Sequence, residues 1–488
     1  MEGSLGYPSE AWPDEALERG LSRPMSKRRE NWGRISKSVL RRQKISKIQK
    51  KLDKKILVYQ IHKQPWSGSI DHTLEKKLAF TEVPMSMDVM LSQEEISFRN
   101  EFKGFLERLD LSFILRMDKE DEKEFPKDFV RALGQNNYLG IPLPKKVGGR
   151  GLNTVCAILA EEELGALAFP LGCAMGMSTY LCRAIYKYGT PELWKKYITP
   201  TMKADLICAE GITEPLKGSD IARLQTVAKK EGSHYIISGE KRFQKGGIGA
   251  DWFLTFARTN PDVAPHKGIS AFVAERKHGV QVVEQFNLLG WRGMGASHLL
   301  FKEVAVPEEN RVGEEGQGFE VLMYLLQTER LMEAATALGS ARECLKIAVR
   351  YSDAREQFEQ KIREFQGINF KIADMAATLD AGRLLCLRAA KIIDKDEKRP
   401  NREVAMAKFY STEAAWNIID QALQILGGIG YTDYYPVERF LRDVRVAKIY
   451  TGTNEIMREL TQRGTYEVLL GEKPSPAWKL WKGSKNLM

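Results

Sequence analysis

The chain has 488 residues, a formal net charge of +10, 43% hydrophobic residues and 28% charged residues. That length predicts about three domains, and the balance excludes a fibrous or wholly disordered protein. Six cysteines without a C-x-x-C pair, most of them in apolar runs, argue against a disulfide framework and for reduced thiols in the cytoplasm. Six scattered histidines with no H-x-x-H or H-E-x-x-H give no sign of a metal site.

The charge is concentrated at the start of the chain. Residues 1–86 hold 18 Lys and Arg against 10 Asp and Glu, which leaves 56 against 54 in the remainder. This stretch is expected to be a disordered basic extension, or an appendage upstream of Met87, where M-D-V-M-L-S-Q-E-E itself reads like a natural start. A partner-binding arm for an anionic membrane or nucleic acid is the sharper alternative. The near-neutral remainder makes nucleic acid an unexpected partner. Five acids in the first eighteen residues do not suit a transit peptide, and no apolar run follows for a signal peptide.

From Ser92 the period is helical, with Ser92 as N-cap and Glu95 completing a capping box. Phe98, Phe102, Phe105 and Leu106 follow at helical spacing, and Gly140, Pro142, Pro144, Gly148, Gly149 and Gly151 break the pattern. Leu164–Cys182 is uncharged for 19 residues, but Pro170 and three glycines mark a buried, interrupted helical region and not a membrane span. From Cys208 the period becomes two, with strands expected at Tyr235–Ser238, Trp252–Ala257, Ile269–Ala274 and Leu299–Pro307. Helical spacing returns from Gly318 to about Leu470. The expected class is α+β: an extension (1–86), a helical domain (87–206), a β domain (207–317), a helical domain (318–475) and a tail (476–488).

Three loops are rich in groups that suit a polar ligand. Thr213–Asp220 clusters Thr213, Gly218 and Ser219; Gln424–Tyr431 ends a helix in glycines; Tyr450–Ile456 places Thr451 and Thr453 before a helix. The glycine spacing is not G-x-G-x-x-G and no strand precedes it, so a dinucleotide-binding fold fails. Leu322, Leu325, Glu329, Met332 and Thr336 fall within about 80° on a helical wheel. A carboxylate desolvated in such a stripe suits a general base. Pairing with an arginine such as Arg330, or partial exposure on a helix apolar nearly all round, are the plainer alternatives.

Further motifs are Arg355-Glu-Gln-Phe358 with Phe365-Gln366, Ala405–Lys408, Leu441-Arg-Asp443, Trp291-Arg-Gly and Val306–Asn310. Together with the three loops, over about 87–470, they resemble the acyl-CoA dehydrogenase family of flavoproteins. The resemblance implies an N-terminal helical domain, a β-barrel-like middle domain and a C-terminal four-helix bundle, assembled as a homotetramer or homodimer with FAD. It implies that Thr213, Gly218 and Ser219 hold the flavin from the middle domain, with Thr453 and Glu455 touching it from the C-terminal domain. Arg355, Phe358, Gln424 and Gly428 would reach the FAD of a neighbouring subunit. Ser219, Arg330, Tyr450 and Thr451 are expected on the substrate side.

Many family members carry a glutamate where this chain has Thr451. A branch resembling isovaleryl-CoA and long-chain acyl-CoA dehydrogenases places it one residue before an arginine, the position of Glu329. The implied reaction is α,β-dehydrogenation of an acyl-CoA thioester to the 2-enoyl-CoA. Glu329 would take the α-proton, flavin N5 the hydride, and electron-transfer flavoprotein the electrons. Phe243 stands where the family usually has Trp, and Lys245 where a Thr or Ser normally faces the flavin. Lys245 either alters the flavin's chemistry or turns into solvent. An oxidase or monooxygenase on the same fold, or a DNA-associated relative, are the alternatives. Acyl-chain length is not legible.

Overall fold

The computed structural model describes residues 87–119, 125–395 and 400–471, so the expectations for the basic extension and the tail lie outside it. Helices α1 (Gln93–Leu106), α2 (Phe113–Lys119), α3 (Lys127–Gln135), α4 (Thr154–Leu167) and α5 (Phe169–Tyr188) come first. The capping box is present: Ser92 Oγ accepts from the Glu95 amide, and Glu95 accepts from the Ser92 amide at 2.7 Å. Phe98, Phe102 and Phe105 converge on Tyr138, so the aromatic stripe of α1 is core. Helices α4 and α5 part at Ala168, with Pro170 in the first turn of α5. This is the interruption anticipated in the uncharged stretch. No helix among the described residues is long and apolar enough to cross a membrane.

The middle region is one eight-stranded sheet of β1 (Cys208–Gly211), β2 (Val227–Glu231), β3 (His234–Lys245), β4 (Trp252–Arg258), β5 (Ile269–Glu275), β6 (Gln281–Gln285), β7 (Ala296–Pro307) and β8 (Arg311–Val312). The hydrogen-bonded order is β6-β7-β3-β2-β4-β5-β8, and β1 joins β4 in parallel. All four strands expected from the sequence are there. Alternation puts Lys241, Phe243 and Lys245 on one face of β3. A register shift between Lys241 and Gln244, with Phe243 at φ 61°, turns Phe243 outward instead.

The C-terminal region holds α6 (Gly318–Ala354), a two-stranded hairpin of β9 (Glu356–Gln357) and β10 (Gln360–Lys361), α7 (Gln366–Asp394), α8 (Asn401–Leu426), α9 (Val437–Val444) and α10 (Asn454–Leu470). Helix α6 is buried all round from Thr328 to Ala341, with α4, α5, α7 and α8 against it. Glycines allow this closeness. A Cβ on Gly165 would lie 2.0 Å from the Thr336 carbonyl oxygen, and one on Gly339 would lie 2.0 Å from that of Glu162. Ser340 Oγ donates to the Gly165 carbonyl at 2.8 Å, and Arg342 spans Glu162 and Glu163 at 2.8 Å each. The helix that carries Glu329 is thereby fixed along its length.

Candidate active site

Glu329 lies in the N-terminal third of α6, 1% exposed. Its Oε1 pairs with Lys245 Nζ from the end of β3, while its Oε2 is buried with no hydrogen-bond partner among the described residues. Lys245 is therefore an interior residue and not a solvent-facing one. Its ammonium also reaches Glu333 Oε1 at 3.3 Å and Glu210 Oε1 at 3.9 Å. It sits 4.9 Å from the Tyr180 ring centroid and 5.0 Å from that of Tyr450. Burial opposes its charge, but the carboxylates of Glu210, Glu329 and Glu333 outweigh that and hold it well above the usual lysine range.

Arg330 is not the partner of Glu329. Its Nε donates to the Thr451 carbonyl at 2.9 Å, and burial pulls the guanidinium down to about 10. Lys408 donates to the Gly452 carbonyl and to Asn454 Oδ1, both at 2.9 Å, and burial pulls it down to about 7. Two buried cations thus hold the Tyr450–Glu455 loop. Thr451 within it has φ 56°, a left-handed conformation costly for a β-branched residue, and its Oγ1 is buried without a partner among the described residues. Thr453 caps α10 by accepting from the Ile456 amide, and Glu455 is exposed in the first turn.

The Thr213–Asp220 loop reaches the same place through β3. The Thr213 carbonyl accepts from the Arg242 amide at 2.7 Å and from Gln244 Nε2 at 2.9 Å. Glu214 underpins the loop by accepting from the amides of Gln225 and Thr226 and from Lys241 at 2.9 Å. Burial works against its charge, yet Lys241 and these donors hold its carboxyl below the usual range. Gly218 and Ser219 are exposed at the loop's tip, and Phe243 is 55% exposed against Phe286.

Arg355, Phe358, Gln424 and Gly428 lie outside this cluster and are all exposed, Phe358 at 89%. Tyr351 packs edge-on to Tyr435, which sets the end of α6 beside the segment after the glycines. Among the described residues, nothing lies within 4 Å of the position a Cβ would take on Gly218, Gly427 or Gly428.

Sequence reasoning missed several members of the site. Glu333 follows Glu329 by one helical turn and accepts from Cys173 Sγ at 3.2 Å and from the Tyr450 hydroxyl. Cys173 in turn accepts from Trp291 Nε1 at 3.3 Å. Glu210 on β1 accepts from the Tyr180 hydroxyl at 3.2 Å. The i to i+4 spacing was the available signal for Glu333; Glu210 carried none. Two motifs noted only as markers have a structural task, since the Trp291 amide donates to Asp443 Oδ1 at 2.6 Å.

Family models for the acyl-CoA dehydrogenase N-terminal, middle and C-terminal domains match residues 92–205, 209–304 and 316–466. The chain belongs to the acyl-CoA dehydrogenase family. It is 38% identical over 370 residues to an acyl-CoA dehydrogenase of Bacillus subtilis (strain 168), covering 75% of this chain and 97% of that protein. The structure of butyryl-CoA dehydrogenase from Megasphaera elsdenii superposes with a TM-score of 0.74 at 31% identity, over 77% of this chain and 98% of that one. A structure described as electron transferring flavoprotein of Acidaminococcus fermentans has a TM-score of 0.74 at 34% identity, over 77% and 98%.

The three-domain α+β architecture of the acyl-CoA dehydrogenases is therefore that of this chain, and the protein is an FAD flavoprotein that oxidises the CH–CH group of an acyl-CoA. The residues present fit such a cofactor. Open space over three loop glycines and the orphaned Thr451 Oγ1 leave room and a hydrogen-bonding group for a polar ligand. Lys245, expected from the resemblance to depart from the usual Thr or Ser, has carboxylates of this chain as its partners.

Proposed function

We propose that Glu329 is the general base of the α,β-dehydrogenation. The observation that carries this is its buried, unpartnered Oε2, on a helix joined through Arg330 to the 450–455 loop and through Lys245 to β3. Only an acceptor with a free lone pair can take a proton without first losing a bond. Thr213, Gly218 and Ser219, with Phe243 and Lys245 beside them, would hold FAD from the sheet, and Thr453 and Glu455 from α10. Bound FAD supplies the two-electron acceptor for the β-hydride. A backbone N–H near Thr451 would polarise the thioester carbonyl. Ser219, Arg330, Tyr450 and Thr451 would form the substrate side, Arg330 by fixing the loop from beneath.

The exposed Arg355, Phe358, Gln424 and Gly428 would meet the cofactor of a neighbouring subunit in a homotetramer or homodimer, with Phe358 burying its ring there. Electrons would pass to electron-transfer flavoprotein. Six free, buried cysteines agree with a reducing compartment, the cytoplasm. The test is anaerobic titration of the yellow protein with acyl-CoAs, beginning with butyryl-CoA, beside Glu329→Gln. Bleaching of the wild type and binding without bleaching in the variant are expected. Equal reduction rates in the two proteins would remove Glu329 from the mechanism.

A further inference from the structure

Four carboxyl groups converge in the interior behind the proposed base. Glu329 and Glu333 come from α6, Glu210 from β1 and Glu161 from α4; Glu161, Glu329 and Glu333 are buried and Glu210 is partly buried. Glu161 accepts from Thr336 Oγ1 at 2.8 Å on one oxygen, and its other oxygen has no partner among the described residues. Gly172 and Gly176 of α5 make room for this side chain, since a Cβ on either would come within 2.9 Å of its oxygens. The other titratable groups facing the cluster are the phenols of Tyr180 and Tyr450 and the thiols of Cys173 and Cys208. From the far side of α6, the charges of Arg330 and Lys408 face Glu329, and that of Lys408 also faces Glu333. Among the described residues the Lys245 ammonium alone makes salt bridges to these carboxylates, with Glu210, Glu329 and Glu333 around it.

We propose that Lys245 is a positioning residue for the dehydrogenation, holding Glu329 ionised and pointed so that its second oxygen stays free to take the α-proton. The idea rests on the reading of Glu329 as base. Burial disfavours every carboxylate here, and their proximity to one another adds to this. Burial and then the charge of Glu329 push Glu210 up to about 8, and burial also raises Glu161 and Glu333. One ammonium can balance one carboxylate. Lys245 makes its closest contact with Glu329, and a salt bridge at that atom favours the charged form of the carboxylate that receives it. The geometry has a second effect. By occupying Oε1, Lys245 fixes the rotamer and leaves Oε2 as the accepting atom.

The test uses the FAD-loaded enzyme as wild type, Lys245→Met, Lys245→Arg and Glu329→Gln. The rate of flavin reduction by an acyl-CoA is followed against pH under anaerobic conditions. In Lys245→Met the acid limb should move up by one pH unit or more, a loss of about tenfold on the acid side that recovers in alkali. Lys245→Arg should restore most of it, with KM for the thioester little changed in both. An unmoved limb in a folded, flavin-loaded Lys245→Met overturns the proposal. An infrared difference spectrum of wild type against Glu329→Gln, without substrate, gives a second readout. Loss of a carboxylate stretch at neutral pH is expected. Loss of a protonated carboxyl stretch overturns the proposal even if Lys245→Met does not fold. If instead Glu329→Gln reduces flavin as fast as wild type, the base assignment has failed, and the infrared result still reports whether Glu329 is charged beside Lys245.

Discussion

Arg330 Nε–H donates to the carbonyl oxygen of Thr451 at 2.9 Å, tying the residue beside Glu329 to a loop 121 residues further along the chain. The same loop is held by Lys408 through Gly452, so two helices of the bundle set its path. Replacing Arg330 by Met leaves a partly buried carbonyl without its donor, a loss of about 1–3 kcal/mol. The expected result is a lower Tm and FAD that washes out on gel filtration. Retention of flavin and Tm at wild-type values would show that Lys408 suffices alone.

Lys241 and Glu214 form a buried pair beneath the 213–220 loop. Lys241→Met strands the carboxylate and is expected to lower stability by about 3–5 kcal/mol. Adding Glu214→Gln should return part of that loss, because the charge left without a partner is then gone. Urea denaturation of the two single variants and the double variant measures the coupling. Strict additivity would mean that the pair contributes nothing beyond its separate contacts.

Glu210 gives a pH dependence of known sign. Its folded value is raised to about 8, above the ordinary carboxylate value of 4.5. The native state therefore binds more protons than the unfolded chain between these values, and stability falls as pH rises through that window. Glu210→Gln cannot lose this proton. Its stability should match wild type near pH 4.5 and exceed it by on the order of a few kcal/mol at pH 8. Denaturation midpoints taken across the window test this, and parallel curves would contradict it.

Gly165 and Gly339 bring α4 and α6 into backbone contact, and neither position has room for a methyl group. Gly165→Ala must push the helices apart and is expected to destabilise by about 1–3 kcal/mol. Because α6 carries Glu329, flavin reduction should slow as well, by more than the small change in folded fraction accounts for. Stopped-flow reduction and thermal melts of the same preparation separate the two effects.

The periodicity and end signals of single elements were readable because they depend on neighbours in sequence. Ser92 and Glu95 announce α1, and the alternation of Trp252–Ala257 announces β4. The stripe through Glu329 was less specific than it looked, because α6 is buried on every side from Thr328 to Ala341. Glu329 was nonetheless placed in the interior by that argument. Lys245 was legible as a departure but not as a partner of Glu329, since 84 residues and a strand-to-helix contact separate them. Phe243 was turned outward by a local irregularity that strict alternation does not encode.

The Lys245–Glu329 pair also bears on how far this protein can be treated as interchangeable modules. The cation is supplied by the sheet and its carboxylates mostly by the helices, so neither region is electrically complete alone. A chimera that takes its sheet from a donor with an uncharged side chain at this position would inherit the acids without their counter-charge. Exchange of the sheet alone would carry away Lys245 and Glu210 together and leave Glu329 and Glu333 on α6 without the ammonium they meet here.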